Sequence, residues 1–195
     1  YKFPGFYVQP RTLRKYPEPI ASHLFGYIGE VDSSTVRKNP YYKEGDYIGK
    51  SGIEQSYEEQ LRGRRGVRVM MVDVFNREKG SFQDGQYDTT AIAGENLTIT
   101  IDARIQRLGE ELLQNKVGSI VAIEPATGEI LCMVSAPSYD PNLLVGRART
   151  KNYAKMLVDP YKPLFNRSQM ALYPPGSTFK VVMALIAEQE KLLFP

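Results

Sequence analysis

The sequence predicts an α+β chain: short mixed elements first, then an antiparallel sheet covered by helices. Three observations carry this. Two apolar runs rich in branched residues, Ser119 to Glu124 and Glu129 to Ser135, flank Pro125-Ala-Thr-Gly128, a turn signal that reads as a hairpin. Both runs are apolar on both faces, which suits strands with helices laid against them. Just upstream, Ile105, Leu108, Leu112 and Leu113 recur at helical spacing behind Asp102, a residue type that caps helices.

Residues 1 to about 96 read as one unit, rich in Pro, Gly and Tyr and built from short elements. Ile53 to Leu61 predicts a short amphipathic helix ended at Gly63. Arg62-Gly-Arg-Arg-Gly-Val-Arg68 is the densest basic cluster, but no aromatic residue interleaves it, so it reads as a solvated turn and not as a nucleic-acid site. Val67 to Phe75 predicts a half to fully buried strand, and Asn76 to Gly85 a polar turn region. The second unit, 97–195, opens with Leu97 to Ile101 alternating like a strand. After the helix and hairpin, Tyr139-Asp-Pro-Asn142 starts a long loop running to Arg167.

Composition excludes several function classes. The 195 residues are 42% hydrophobic and 24% charged, with a mean hydropathy of −0.35 and no apolar run long enough to span a bilayer. The net charge of +3 is spread over both units, so no polyanion-binding field is implied. One cysteine, Cys132, cannot form an internal disulfide and reads as a small buried residue. One histidine, His23, reads as a packing or surface residue and not as a triad member. No His/Cys cluster has zinc spacing and no Gly-rich loop cradles a phosphate, so no metal or cofactor is expected. Glu110 and Glu111 point in different directions on a helix and make a poor acid/base pair.

One constellation remains, Tyr173-Pro-Pro-Gly-Ser-Thr-Phe-Lys180. The prolines fix an extended approach and Gly176 permits a sharp turn. A helix then begins near Ser177, and Val181 to Ala187, apolar all round, predicts that it is buried. Ser177 and Lys180, three apart, share a helix face. A serine hydroxyl becomes a nucleophile when a neighbouring base takes its proton, and a partly desolvated lysine is such a base. Spacing alone leaves a second reading open: Ser177 as a helix cap and Lys180 reaching out to water.

Pro163-Leu-Phe-Asn-Arg-Ser-Gln-Met-Ala-Leu-Tyr-Pro-Pro-Gly-Ser-Thr-Phe-Lys180 resembles the active-site approach of class B penicillin-binding proteins, the peptidoglycan D,D-transpeptidases, whose Ser-x-x-Lys motif it contains. Further segments resemble the family in the same order: Gly26-Tyr-Ile-Gly-Glu-Val31, Gly49-Lys-Ser-Gly-Ile-Glu54, Tyr57-Glu-Glu-Gln-Leu-Arg-Gly63, Asn96-Leu-Thr-Ile-Thr-Ile-Asp102, Ala126-Thr-Gly-Glu-Ile-Leu131 and Ser135-Ala-Pro-Ser-Tyr-Asp-Pro-Asn142. Tyr47 to Glu54 resembles the elongation type more than the division type.

The resemblance implies Ser177 as acylated nucleophile and Lys180 as general base. It implies residues 1–96 as a pedestal (dimerisation-type) domain, and 97–195 as the N-terminal part of the transpeptidase domain. Expected partners are stem peptides ending in D-Ala-D-Ala, β-lactam antibiotics, and a membrane glycan polymerase with other elongation-machinery proteins. The expected location is the bacterial inner membrane, held by a single N-terminal anchor with the domains on the periplasmic side. The family's Ser-x-Asn and Lys-Thr-Gly motifs do not occur in the 195 residues, so the sequence is expected to be truncated and inactive by itself. Two other readings stand beside this one. They are a β-lactamase or penicillin sensor, and a non-catalytic envelope interaction module acting through the pedestal.

Overall fold

The computed structural model describes residues 13–192. The first unit begins with helix α1 (Ser22–Phe25) and strand β1 (Ile28–Glu30), followed by α2 (Ser33–Lys38), β2 (Tyr47–Gly49), α3 (Gly52–Ser56) and α4 (Glu58–Arg62). β1 and β2 pair antiparallel, Gly29 opposite Ile48. The chain turns from β2 into α3 so closely that a Cβ on Gly49 would lie 1.9 Å from the Glu54 carbonyl oxygen. The single helix predicted over 53–61 is two, broken at Tyr57 (φ −117°, ψ 26°), and the second stops at Gly63 with φ +66°.

Residues 64–92 form a thin antiparallel ribbon. Arg64 bridges Ile92, Val67 bridges Thr89, and β3 (Met70–Val72) pairs with β4 (Glu78–Ser81). This corrects two expectations. The predicted strand over 67–75 shrinks to three residues, and the supposed turn region contains its partner strand. Nor is it buried: Val74 and Phe75 are 94% and 75% exposed. A two-stranded ribbon has no second layer to cover its apolar face.

The second unit holds α5 (Ala103–Leu112), β5 (Gly118–Ile123), β6 (Ile130–Ala136), α6 (Arg149–Leu157), α7 (Arg167–Met170) and α8 (Phe179–Gln189). The β5–β6 hairpin forms as expected, with Gly128 at φ +79° and the Glu124 N–H donating to the Glu129 carbonyl at 2.9 Å. Asp102 caps α5 by accepting from the N–H groups of Arg104 and Ile105; the Arg104 guanidinium first, and then those N–H bonds, hold its carboxyl below the usual range. Leu97 to Ile101 is not a strand. It runs beside β6 irregularly, joined by the Thr100 hydroxyl to the Ile130 carbonyl at 2.8 Å. The predicted loop from Tyr139 to Arg167 contains a 3-10 turn (Pro141–Leu144) and all of α6.

The core centres on β6, where Cys132, Met133, Val134, Ser135 and Ala136 are all buried. Successive residues of a strand face opposite ways. Val134 meets Gly109 of α5, and Ser135 meets the start of α7, accepting from the Arg167 N–H at 2.9 Å. Helices therefore cover the sheet on both sides. β5 is covered less, with Val121 and Ile123 exposed. α5 is turned opposite to its periodicity: Gln106 and Gly109 face inward, while Ile105, Leu108 and Leu112 are exposed.

The two units are tied by residues 16–23. Asn142 pairs twice with Tyr16, accepting from its N–H at 3.0 Å and donating to its carbonyl at 2.9 Å. The Ala21 N–H donates to Glu110 at 2.7 Å, and Ser22 and Tyr139 exchange hydroxyl-to-carbonyl hydrogen bonds. Arg14 and the Tyr16 hydroxyl hold Glu54, a carboxylate only 6% exposed, so this strap is equally fixed to the first unit. Burial and the Glu54 carboxylate push the Tyr16 phenol well above its usual range.

Candidate active site

Ser177 sits in a 3-10 turn, Gly176–Thr178, that runs without a break into α8, whose second residue is Lys180. Pro175, Thr178 and Phe179 all have right-handed helical backbone, so Ser177 and Lys180 stand three apart on one continuous helical path and share its face. Gly176 has φ +58°, and a Cβ there would meet nothing within 4 Å. The glycine is required by backbone conformation alone. Neither Pro175, which opens the 3-10 turn, nor Thr178, which opens α8, makes a side-chain capping bond, and Ser177 makes none among the described residues. N–H groups at the start of a helical turn are suited to an oxyanion. The Thr178 hydroxyl donates to the Pro175 carbonyl at 2.5 Å, bracing the turn.

Ser177 and Lys180 are both exposed, and no hydrogen bond joins their side chains among the described residues. The expectation of a buried helix is not met: Val181 is 68% and Leu185 61% exposed, and no α8 residue is buried. An apolar helix is buried only when another element lies on it. Here the 3-10 turn is the one described element broadly in contact with α8. Lys180, expected to be partly covered, is exposed as well.

The approach to the turn is firmly held. Arg167, 9% exposed, donates to the Tyr161 carbonyl at 2.7 Å and to the Lys162 carbonyl at 3.2 Å. Its own N–H and the Phe165 carbonyl both meet the Ser135 hydroxyl on β6. Sequence reasoning missed Arg167 as a structural centre, since a lone arginine carries no sign that it will be buried on backbone carbonyls. His23 packs as expected, its Nε2 2.7 Å from the Pro163 carbonyl oxygen and its ring edge-on to Tyr139. Burial lowers the His23 pKa and pushes the Tyr139 phenol up to about 12.

Two other expectations can be placed. Tyr41 and Tyr42, distant in sequence, meet the basic cluster: the Arg62 and Arg65 guanidinium carbons lie 4.0 and 4.6 Å from the Tyr41 ring centre, and Arg65 pairs with Asp46 at 2.7 Å. Two charges of the basic run, those of Arg62 and Arg65, are thus engaged within the protein. A cavity of about 750 Å³ lies between the end of α5, β6 and Tyr161, away from Ser177 and Lys180. Among the described residues no group of His, Cys, Asp or Glu has the arrangement of a metal site.

Comparison with known proteins identifies the family. Residues 1–99 match the family description "Penicillin-binding Protein dimerisation domain", and residues 118–195 match "Penicillin binding protein transpeptidase domain". The chain is 38% identical over 194 residues to the peptidoglycan D,D-transpeptidase MrdA of Escherichia coli K12, which covers 96% of this chain and 30% of that protein. It is 35% identical over 188 residues to MrdA of Acinetobacter baumannii, covering 95% of this chain and 27% of the relative. The chain thus spans under a third of the length of these curated relatives. Among solved structures, Pseudomonas aeruginosa PBP2 in complex with WCK 5153 superposes with a TM-score of 0.75 at 35% identity, covering 94% of this chain and 36% of that one. PBP2 of Helicobacter pylori in complex with MreC gives 0.73 at 31% identity, covering 91% and 33%. From its first strap to the turn that bears Ser177, the chain belongs to the penicillin-binding proteins, of the class B, PBP2-like kind.

Proposed function

We propose that this chain carries the nucleophile of a serine D,D-transpeptidase of peptidoglycan synthesis, with residues 1–96 as its pedestal and 97–195 as the first part of its catalytic domain. The observation that carries the reading is the uncapped turn that presents Ser177 and Lys180 on one face behind Gly176. Ser177 Oγ attacks the penultimate D-Ala carbonyl of a stem peptide as Lys180 Nζ takes its proton. The tetrahedral oxyanion rests on the Ser177 N–H. Collapse breaks the peptide bond, and the terminal D-Ala leaves with the proton held by Lys180. The amine of a second stem peptide then attacks the ester, forms the cross-link and restores the Ser177 hydroxyl. β-Lactams acylate the same oxygen by ring opening.

The relatives' names and the family match support this reading over a β-lactamase or sensor. The pedestal is the surface for elongation-machinery partners, including a membrane glycan polymerase, at the periplasmic face of the inner membrane. Its exposed ribbon, with Val74 and Phe75 at the tip, supports that role. Two structural neighbours are such assemblies, a complex of PBP2 with MreC and a peptidoglycan synthase complex that coordinates polymerization and crosslinking. The test is release of D-Ala by the full-length protein from a pentapeptide-bearing glycan. Ser177→Ala is expected to abolish it, and release that persists in this variant overturns the reading.

A further inference from the structure

We infer that His23 is a positioning residue for the nucleophile turn, acting through its hydrogen bond to the Pro163 carbonyl, an inference that rests on the active-site reading of Ser177. The segment 161–165 has no regular structure, and side chains hold its carbonyls in place. Arg167 holds those of Tyr161 and Lys162, and Ser135 holds that of Phe165. These three bonds come from the second unit. The carbonyl of Pro163 is held by His23, 140 residues upstream in the first unit. A carbonyl oxygen has no proton to give, so Nε2 carries the proton of this bond.

His23 is itself closely fixed. Its ring stands edge-on to Tyr139 at 5.3 Å, Ser22 beside it is fully buried and bonded reciprocally with Tyr139, and Ala21 is anchored to Glu110. The hold matters for chemistry because of what lies downstream. Past Arg167 the chain runs through α7, a helix of four residues and too short to fix its own position, and through Pro174-Pro175 into the Ser177 turn. The turn and α8 follow directly on from the 161–167 segment, and through His23 the first unit grips that segment. A shift of the order of 1 Å at a reacting atom is enough to cost about a hundredfold in rate, so a loosened grip is felt at Ser177.

The experiment measures the second-order rate of Ser177 acylation by a fluorescent penicillin in the full-length protein. Wild type is compared with His23→Ala, His23→Asn and His23→Gln, with thermal melting and amide hydrogen exchange over 163–177 measured on each. The amide nitrogen of glutamine reaches the place of Nε2, whereas that of asparagine falls short. Alanine and asparagine are expected to slow acylation about tenfold and to speed exchange over 163–177, with glutamine restoring the rate to within about threefold of wild type. Equal rates in wild type and His23→Ala overturn the inference. So does a glutamine variant as slow as the asparagine one, or a set of rates that follows melting temperature alone. A wild-type protein that takes no adduct at Ser177 sinks the active-site reading and this inference with it.

Discussion

The side-chain amide of Gln106 takes the place of a neighbouring strand for Met133. Its Oε1 accepts from the Met133 N–H at 2.8 Å and its Nε2 donates to the Met133 carbonyl at 3.2 Å, at a position with no exposed surface. One edge of β6 is paired with β5. Gln106 satisfies the other edge at the middle of the core, and its Nε2 also donates to Glu110, which in turn holds Ala21 of the first unit. A polar residue thus fixes the rotation of α5 and leaves its apolar stripe outward.

Gln106→Leu keeps the volume roughly constant but strands two buried backbone groups, each costing about 1–3 kcal/mol. The variant is expected to lose about 2–5 kcal/mol in urea denaturation, more than any single exposed leucine of α5 changed to alanine. A loss under about 0.5 kcal/mol would show that Met133 finds other partners.

Lys180→Arg separates a base from a charge. Arginine keeps the cation and the donors but does not give up its proton near neutral pH. If Lys180 takes the Ser177 proton, arginine and alanine variants are expected to acylate equally slowly, at least about a hundredfold below wild type. Recovery with arginine would assign Lys180 a purely electrostatic role.

Gly176→Ala places a Cβ in open space but on backbone at φ +58°. The left-handed conformation costs about 1–2 kcal/mol for a residue with a side chain. The turn is expected to relax and acylation to slow, while the melting temperature moves by only a few degrees, because nothing packs there. Wild-type acylation in this variant would mean that the turn's shape is not needed.

Burial holds the His23 imidazole below its ordinary value of 6.5, with the Arg167 charge acting in the same direction and the Pro163 bond opposing. Tyr139, with its own pKa raised to about 12, stays neutral beside it. Above about pH 6.5 the ring is neutral in folded and unfolded chains, and its contribution is complete. As pH falls from there through the folded value, the unfolded chain binds the proton first and stability is lost. Urea midpoints are expected to drop more between pH 7.5 and 5.5 for wild type than for His23→Gln; parallel profiles would remove His23 as the cause.

Local signals were legible in the sequence. Asp102 capped the helix it preceded, Gly128 closed the hairpin and Gly63 ended α4, each because one residue type suits one backbone conformation. Gly176 and the spacing of Ser177 to Lys180 were legible for the same reason. What failed depended on neighbours. Periodicity found α5 but not which face turns inward, since that is decided by the Met133 edge that Gln106 completes. The apolar run of α8 predicted burial that needs a covering element, and Val67 to Phe75 promised a strand whose partner, Glu78–Ser81, looks like a turn in sequence. The stacking of Arg62 and Arg65 on Tyr41 joins residues about twenty positions apart, beyond the reach of any local pattern.

The most direct test is intact-mass analysis of the full-length protein after exposure to a penicillin, followed by peptide mapping. One adduct, on the peptide bearing Ser177, absent from Ser177→Ala and strongly reduced in Lys180→Ala, is the predicted result. An adduct that persists in Ser177→Ala, or that maps to another residue, would contradict the account at its centre.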